Sequence, residues 1–267
     1  MAIQNKVIIE TDSVSYKING KDLVKDISFK VDKGDMVSII GPNGSGKSTL
    51  IRLLSNEISP SSGKIKFQDR YNHDWDPVKM ALYRSVLSQS SQLSFPFSVL
   101  DIVKMGRYPV RVSGQIEDEM GVCEDILQFF DLEGLKYRNY ITLSGGEKQR
   151  VQLARVIAQI WSKDSYSDKL LILDEPTSYL DINHQYELFN FLEDLNNKGL
   201  TIIVVLHDLN HAILKSNKIA MLKSSELIKY GDIDKVFNSE VLKEIFSIDL
   251  EVLKNSKLNK PFITFKA

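Results

Sequence analysis

Residues 41–49 read Gly41, Pro42, Asn43, Gly44, Ser45, Gly46, Lys47, Ser48, Thr49. A glycine, four residues, then Gly-Lys-Ser is the spacing of a phosphate-binding loop. Its glycines let successive backbone N–H groups curl round phosphate oxygens. In that pattern Lys47 reaches the β- and γ-phosphates and the Ser48 hydroxyl serves Mg²⁺. Far along the chain, Asp174 and Glu175 close the apolar run 170–173. Asp174 is suited to hold Mg²⁺ directly or through water, and Glu175 to polarise an attacking water. A third stretch, Leu143 to Arg150, reads Leu-Ser-Gly-Gly-Glu-Lys-Gln-Arg. Ser144 and Glu147 have the spacing of a capping box, so this stretch opens a helix. Ser144, Gly145 and Gly146 then offer a hydroxyl and backbone N–H groups at a helix N-terminus, which suits an anion.

The surrounding patterns say what must position these residues. Residues 36–40, 170–173 and 201–206 are short continuous apolar runs, as expected of strands buried on both faces of a mainly parallel sheet. They end at Gly41, Asp174 and His207, and ligands bind beyond the carboxyl ends of such strands. Residues 7–31 instead alternate apolar and polar around Asn19-Gly20, which predicts an antiparallel hairpin with one buried face. Roughly 88–162 is helical in character. After Glu147, the residues Leu153, Ala154, Ile157, Ile160 and Trp161 recur at helical spacing. Residues 218–230 predict short strands around a turn, and 231–267 one or two short helices and a final strand. The fold class is therefore α/β: a phosphate-loop nucleoside-triphosphatase (NTPase) core with a mixed, mainly parallel sheet, an N-terminal antiparallel β subdomain and an inserted α-helical subdomain.

Composition narrows the function. The 267 residues carry 34 Lys and Arg against 35 Asp and Glu, a net charge of −1, so no basic surface points to nucleic acid. A single cysteine, Cys123, rules out a disulfide framework or a zinc-finger spacing. The N-terminus lacks the apolar core of a signal peptide, and no apolar run approaches the 18 or so residues of a membrane span. The expectation is a cytoplasmic protein that meets a membrane only through partners.

Taken in order, Tyr16, the 41–49 loop, Gln89, the Leu143–Arg150 stretch, Asp174-Glu175, Asp181 and His207 resemble the ATP-binding cassette family over nearly the full chain. The resemblance implies two subunits packed head to tail, with the Ser144 stretch of one closing over ATP held by the phosphate loop of the other. It also implies that Tyr16 stacks on adenine and that Gln89 contacts Mg²⁺ or the attacking water. His207 is then a γ-phosphate contact, and Asp181 lies at the subunit seam. Glu175, His207 and Gln89 form the catalytic set, and Ser48, Gln89 and Asp174 the metal set. Tyr179 stands where the family usually carries alanine, which adds bulk near the subunit contact. The division implied is one ATPase domain over 1–267: a core at about 1–87 and 163–230, a helical subdomain at about 88–162, and a C-terminal extension at about 231–267.

Residues 86–109 and 151–161 resemble the ATP-binding subunits of haem importers, within the iron-siderophore and vitamin B12 uptake group, and the tail from Lys235 resembles that wider group. The expected function is the ATP-hydrolysing motor of a haem importer, working as a homodimer on integral membrane permease subunits at the cytoplasmic face of the inner membrane. A periplasmic or surface substrate-binding protein would be an indirect partner. A ferric-siderophore or B12 importer is the alternative. A soluble cassette ATPase of translation or DNA maintenance is a further one. The translation type usually has two cassettes in one chain, and the DNA type a long coiled coil or cysteine-rich insertion. Neither feature is seen here.

Overall fold

The computed structural model describes residues 7–88, 95–115, 118–162, 165–255 and 260–265. The chain opens with β1 (Val7–Ile18) and β2 (Lys21–Asp32), paired antiparallel across the Asn19-Gly20 turn. Asn19 and Gly20 both have positive φ, the backbone that tight hairpins need to match strand twist. β3 (Met36–Ile40) follows, every residue buried, and leads through the phosphate loop into α1 (Lys47–Leu54). Next come β4 (Ser62–Phe67), β5 (Arg70–Tyr71), α2 (Pro77–Ala81) and β6 (Arg84–Leu87). A helical run comprises α3 (Val99–Gly106), α4 (Tyr108–Ser113), α5 (Glu119–Phe129) and α6 (Gly145–Ile160). Then alternate β7 (Leu170–Asp174), α7 (Ile182–Asn197), β8 (Thr201–Val205), α8 (Leu209–Lys215) and β9 (Lys218–Lys223). β10 (Glu226–Asp232), α9 (Ile233–Val236), α10 (Ser239–Phe246), β11 (Leu250–Asn255) and β12 (Lys260–Phe265) complete the chain.

One sheet has the order β10-β9-β3-β8-β7-β6. Its pairs are parallel except β9 with β10, so the sheet is mixed and mainly parallel as the apolar runs predict. A second sheet, β2-β1-β4-β5, is antiparallel. Two apolar cores lie on opposite faces of the first sheet. One joins it to the antiparallel sheet and α1, with Ile8, Ile27, Leu50, Phe67 and Ile172 sealed from water. The other packs α3, α5, α6 and α7 beneath it through residues such as Val103, Ile126, Ala154 and Leu192. The six-stranded sheet therefore has no wet face along β3, β7 and β8, and its residues need no polar alternation there.

Two features go beyond the sequence reading, the first where it assigned no elements and the second where it differs. Residues 62–87 hold three further strands and α2, of which β6 completes the parallel sheet at its edge. The tail ends in an antiparallel hairpin, β11 with β12, rather than a single strand. Its inner face is held by Leu250 and Ile263, and by Asn210, whose amide group exchanges two hydrogen bonds with the Ile263 backbone. Among the described residues no helix is long and apolar enough to cross a membrane.

Candidate functional site

The carboxyl ends of β3, β7 and β8 bring the chemistry-bearing residues together. The loop after β3 runs so close to its neighbours that side chains are excluded at two points. A Cβ on Gly41 would collide with the Leu222 carbonyl, and one on Gly46 with the Leu23 carbonyl. Gly46 also has φ +101°, a backbone region that disfavours any other residue. The loop thus delivers the first N–H groups of α1 to a cavity of about 300 Å³ lined by Leu23, Asn43, Lys47, Ser48, Thr49 and Glu175, among others. None of 144–146 lines it.

Lys47 is buried, and its ammonium group donates to the carbonyls of Gly41 (2.8 Å) and Pro42 (3.0 Å). Burial pulls its pKa below the usual lysine value, with Glu175 and Asp174 opposing that shift. Asp174 is only 4% exposed. Burial pushes its carboxyl pKa up, the Ser48 hydroxyl hydrogen-bonds it and draws it back, and the Glu175 charge raises it again. Its Oδ1 is buried with no hydrogen-bond partner among the described residues. An orphaned carboxylate oxygen beside a serine hydroxyl is an arrangement that a hard cation relieves.

Glu175 turns the chain sharply out of β7 with φ +53°. Its Oε1 lies 2.6 Å from Nε2 of His207, two residues beyond the end of β8. Two residues far apart in sequence therefore meet at the loop, as their strand ends predict. Tyr16 is half-buried in β1 and packs against the core between the two sheets rather than lining the cavity. Leu23 also lines the cavity, although its alternating strand pattern carries no sign of that role. Gln89 lies outside the described residues.

Ser144 caps α6 as its spacing predicts. Its Oγ accepts from the Glu147 N–H (3.3 Å), and a Glu147 carboxylate oxygen accepts from the Ser144 N–H (2.7 Å). Those hydrogen bonds from Ser144 hold the Glu147 pKa below the usual carboxylate value. Ser144 and Gly145 are exposed, while Leu143 anchors the turn in the core. Gln149 donates to the Pro176 carbonyl (3.0 Å), tying α6 to the segment that follows Glu175. In that segment Tyr179 has φ +69°, and its exposed ring lies beside Gly145. A Cβ built on Gly145 would stand 3.6 Å from Cδ1 of Tyr179. Asp181 caps α7, accepting from the His184 N–H (2.9 Å) and pairing with the His184 ring (2.8 Å). His73 and His211 join no metal-binding group, and among the described residues there is no cluster of three or more His, Cys, Asp or Glu with metal-site geometry.

Comparison with known proteins agrees with this assembly. The ABC transporter family model matches residues 24–178, more than half of the chain. The chain is 36% identical to the hemin import ATP-binding protein HmuV of Escherichia coli O157:H7, covering 96% of this chain and 98% of that one. It is 34% identical to the protein of the same name from Gloeobacter violaceus, covering 96% and 93%. Among solved structures it resembles cbiO1 of Clostridium perfringens, part of the cbiONQ transporter complex, with TM-score 0.70, 27% identity, and 90% and 94% of the two chains covered. The dimeric structure of the bacterial cassette MJ0796 gives TM-score 0.72 at 26% identity, covering 84% of this chain and 98% of that one. With a glycine loop shaped for phosphates after β3 and an acidic pair at the end of β7, the chain belongs to the ABC transporter family and is one of its nucleotide-binding, ATP-hydrolysing subunits.

Proposed function

We propose that this chain is the ATPase motor of an importer that brings haem across the inner membrane. The observation that carries this reading is the similarity to hemin import ATP-binding proteins over nearly the whole of both chains. The protein would sit peripherally on the cytoplasmic face, bound to integral permease subunits. A substrate-binding protein would deliver cargo on the far side. We further propose the division given above: a core at about 1–87 and 163–230, a helical subdomain at about 88–162, and an extension at about 231–267.

In the proposed mechanism the phosphate loop from Gly41 to Thr49 holds the ATP phosphates by backbone N–H groups, and Lys47 exchanges its carbonyl partners for phosphate oxygens. The Ser48 hydroxyl, the unpartnered Asp174 oxygen and Gln89 are the groups that would hold Mg²⁺, which supplies charge neutralisation for the phosphates. Glu175 orients and polarises the water that attacks the γ-phosphate, and His207 steadies Glu175 and contacts the γ-phosphate. Tyr16 stacks on adenine. Ser144, Gly145 and Gly146 of a second copy close the site, because they line no part of their own chain's cavity. Asp181 lies at that seam. Hydrolysis is then governed by positioning and charge stabilisation, and two copies are needed for each complete site.

Growth tests the cargo. Cells without the protein should fail on haem as sole iron source and grow on ferrous iron. The parental gene should restore growth on haem and a Glu175→Gln version should not. Growth on haem with loss of siderophore-iron or B12 uptake would move the cargo to that alternative and leave the motor reading standing. Normal uptake of all three would overturn the importer reading.

A further inference from the structure

The end of the parallel sheet opposite the phosphate loop borders a cleft of about 890 Å³, nearly three times the phosphate-loop cavity of about 300 Å³. Lys33 enters it just before β3, and Asp168 just before β7. One wall is aromatic. Trp75 donates its indole N–H to the Phe67 carbonyl (3.1 Å) and packs at a tilt on Phe67 (5.4 Å) and Tyr83 (6.2 Å), so its ring is held in place. The Arg70 guanidinium lies over one face of that ring, 5.4 Å from its centre, which leaves the ring's remaining exposed surface to a ligand. The end of α4, at Val112 and Ser113, also lines the cleft.

The charges round this wall do not balance locally. The Asp168 carboxylate is paired with Lys33. The Asp76 carboxylate caps α2, accepting from the Lys79 N–H (2.9 Å). Neither Arg70 nor the Lys79 ammonium group has an ion pair among the described residues. One ring behind Trp75, the Arg84 guanidinium stands 6.0 Å over Phe67. It reaches one carbonyl, that of Leu54, at 3.5 Å, and its Nε is sealed from water without a partner. Burial with no nearby carboxylate pulls the Arg84 pKa down to about 10. Three cations, Lys33, Arg70 and Lys79, line the cleft against the two committed carboxylates Asp76 and Asp168, and Arg84 adds a positive charge behind Trp75, so the region attracts anions.

We propose that the cleft binds a planar aromatic anion, a ring system bearing carboxylates or phosphates, stacked on Trp75 with its charged group between Arg70 and Lys79. Guanidinium and ammonium groups beside a fixed indole recognise that combination, and the volume suits a small-molecule ligand. The site belongs to neither the phosphate loop nor the Ser144 turn, and it stands whichever cargo the transporter carries. It also has a route to activity. α2 packs on α4, and α4 on α6, whose N-terminus is the Ser144 turn. A ligand bridging Trp75 and α4 would therefore bias the attitude of α6 and tune ATPase turnover.

Fluorescence tests this directly, because Trp75 and Trp161 are the two tryptophans of the chain. The full chain carrying Trp161→Phe is titrated with protoporphyrin IX, a planar dicarboxylate. It is titrated separately with ADP after adding Lys47→Ala to weaken the phosphate loop. Saturable quenching by one of the two identifies the source of the anionic ring. Arg70→Ala with Lys79→Ala should weaken that binding at least tenfold without changing the circular dichroism spectrum. Calorimetry on the parental chain, which needs no tryptophan signal, should show the same loss. Absence of saturable binding by both ligands overturns the proposal. So does equal affinity in the double variant, or equal affinity for the neutral dimethyl ester of the porphyrin.

Discussion

Glu175→Gln separates chemistry from binding most cleanly. The amide keeps the shape of the carboxylate and still reaches His207, which lies 2.6 Å away. What is lost is the ability to polarise water, a contribution of about 10²- to 10⁴-fold, or about 3–5 kcal/mol of barrier. The stability change is smaller. Removing the charge weakens one charge-assisted hydrogen bond, but the His207 side chain is half exposed, so that loss is discounted to about 1 kcal/mol or less. It is partly offset, because the Glu175 charge also strains the buried Asp174 carboxylate beside it. For a chain of this size the net change in Tm should stay within about 2–4 °C. Phosphate release should fall by the stated factor. Fluorescent-ATP binding should be unchanged, and ATP with Mg²⁺ should hold the variant as a dimer in sedimentation. Hydrolysis at the parental rate would refute the role given to Glu175. Loss of ATP binding would refute the separation of chemistry from binding.

Ser144→Arg should leave ATP binding by the monomer intact and abolish ATP-dependent dimerisation. Mixing it with Lys47→Ala should restore partial dimerisation through the one intact composite site, measured by sedimentation of the mixture; loss of ATP binding in the Ser144→Arg monomer would mean that the turn serves its own nucleotide. Asp174→Asn should raise the Tm of the nucleotide-free protein near pH 7, because a buried carboxyl whose pKa is raised costs stability once ionised. The gain should vanish as pH falls below the unfolded carboxyl value, where Asp174 is protonated in both states, and thermal melts with and without MgATP should show stabilisation by MgATP lost at every pH. Phe95 is 68% exposed while Phe97 packs against the lower core, so Phe95→Ser should uncouple ATPase from the permease with an unchanged Tm, whereas Phe97→Ser should lower the Tm by several degrees in a thermal melt.

The features legible in the sequence were those whose physics is local. A loop of glycines between an apolar run and a helical one has few backbone solutions, so residues 41–49 announced their geometry. Ser144 and Glu147 announced a helix start because a capping box closes within four residues. The strands β3, β7 and β8 were legible because burial on both faces removes polar alternation, and their ends located Asp174 and His207. Residues 62–87 were not legible. β5 has two residues and β6 four, too short for a periodic pattern, and each becomes a strand only through its neighbour. The C-terminal hairpin likewise depends on Asn210, some fifty residues earlier, to hold its inner strand.

Within the site, residue types were determined by sequence and most of their partners by the tertiary fold. Nothing near Tyr179 in sequence says that its ring will lie beside Gly145, and nothing near Lys47 says that its ammonium will fold back onto loop carbonyls. Arg84 opens a strand like any edge residue, and only packing against Phe67 deprives it of a carboxylate. Asp174 shows the division within one residue. Its place at the end of an apolar run marks it as functional, but its raised pKa and unpartnered oxygen exist only once β7 is covered on both faces. Charge and hydrogen-bond satisfaction are properties of what surrounds a group in space, and the chain acquires them when distant strands close over it.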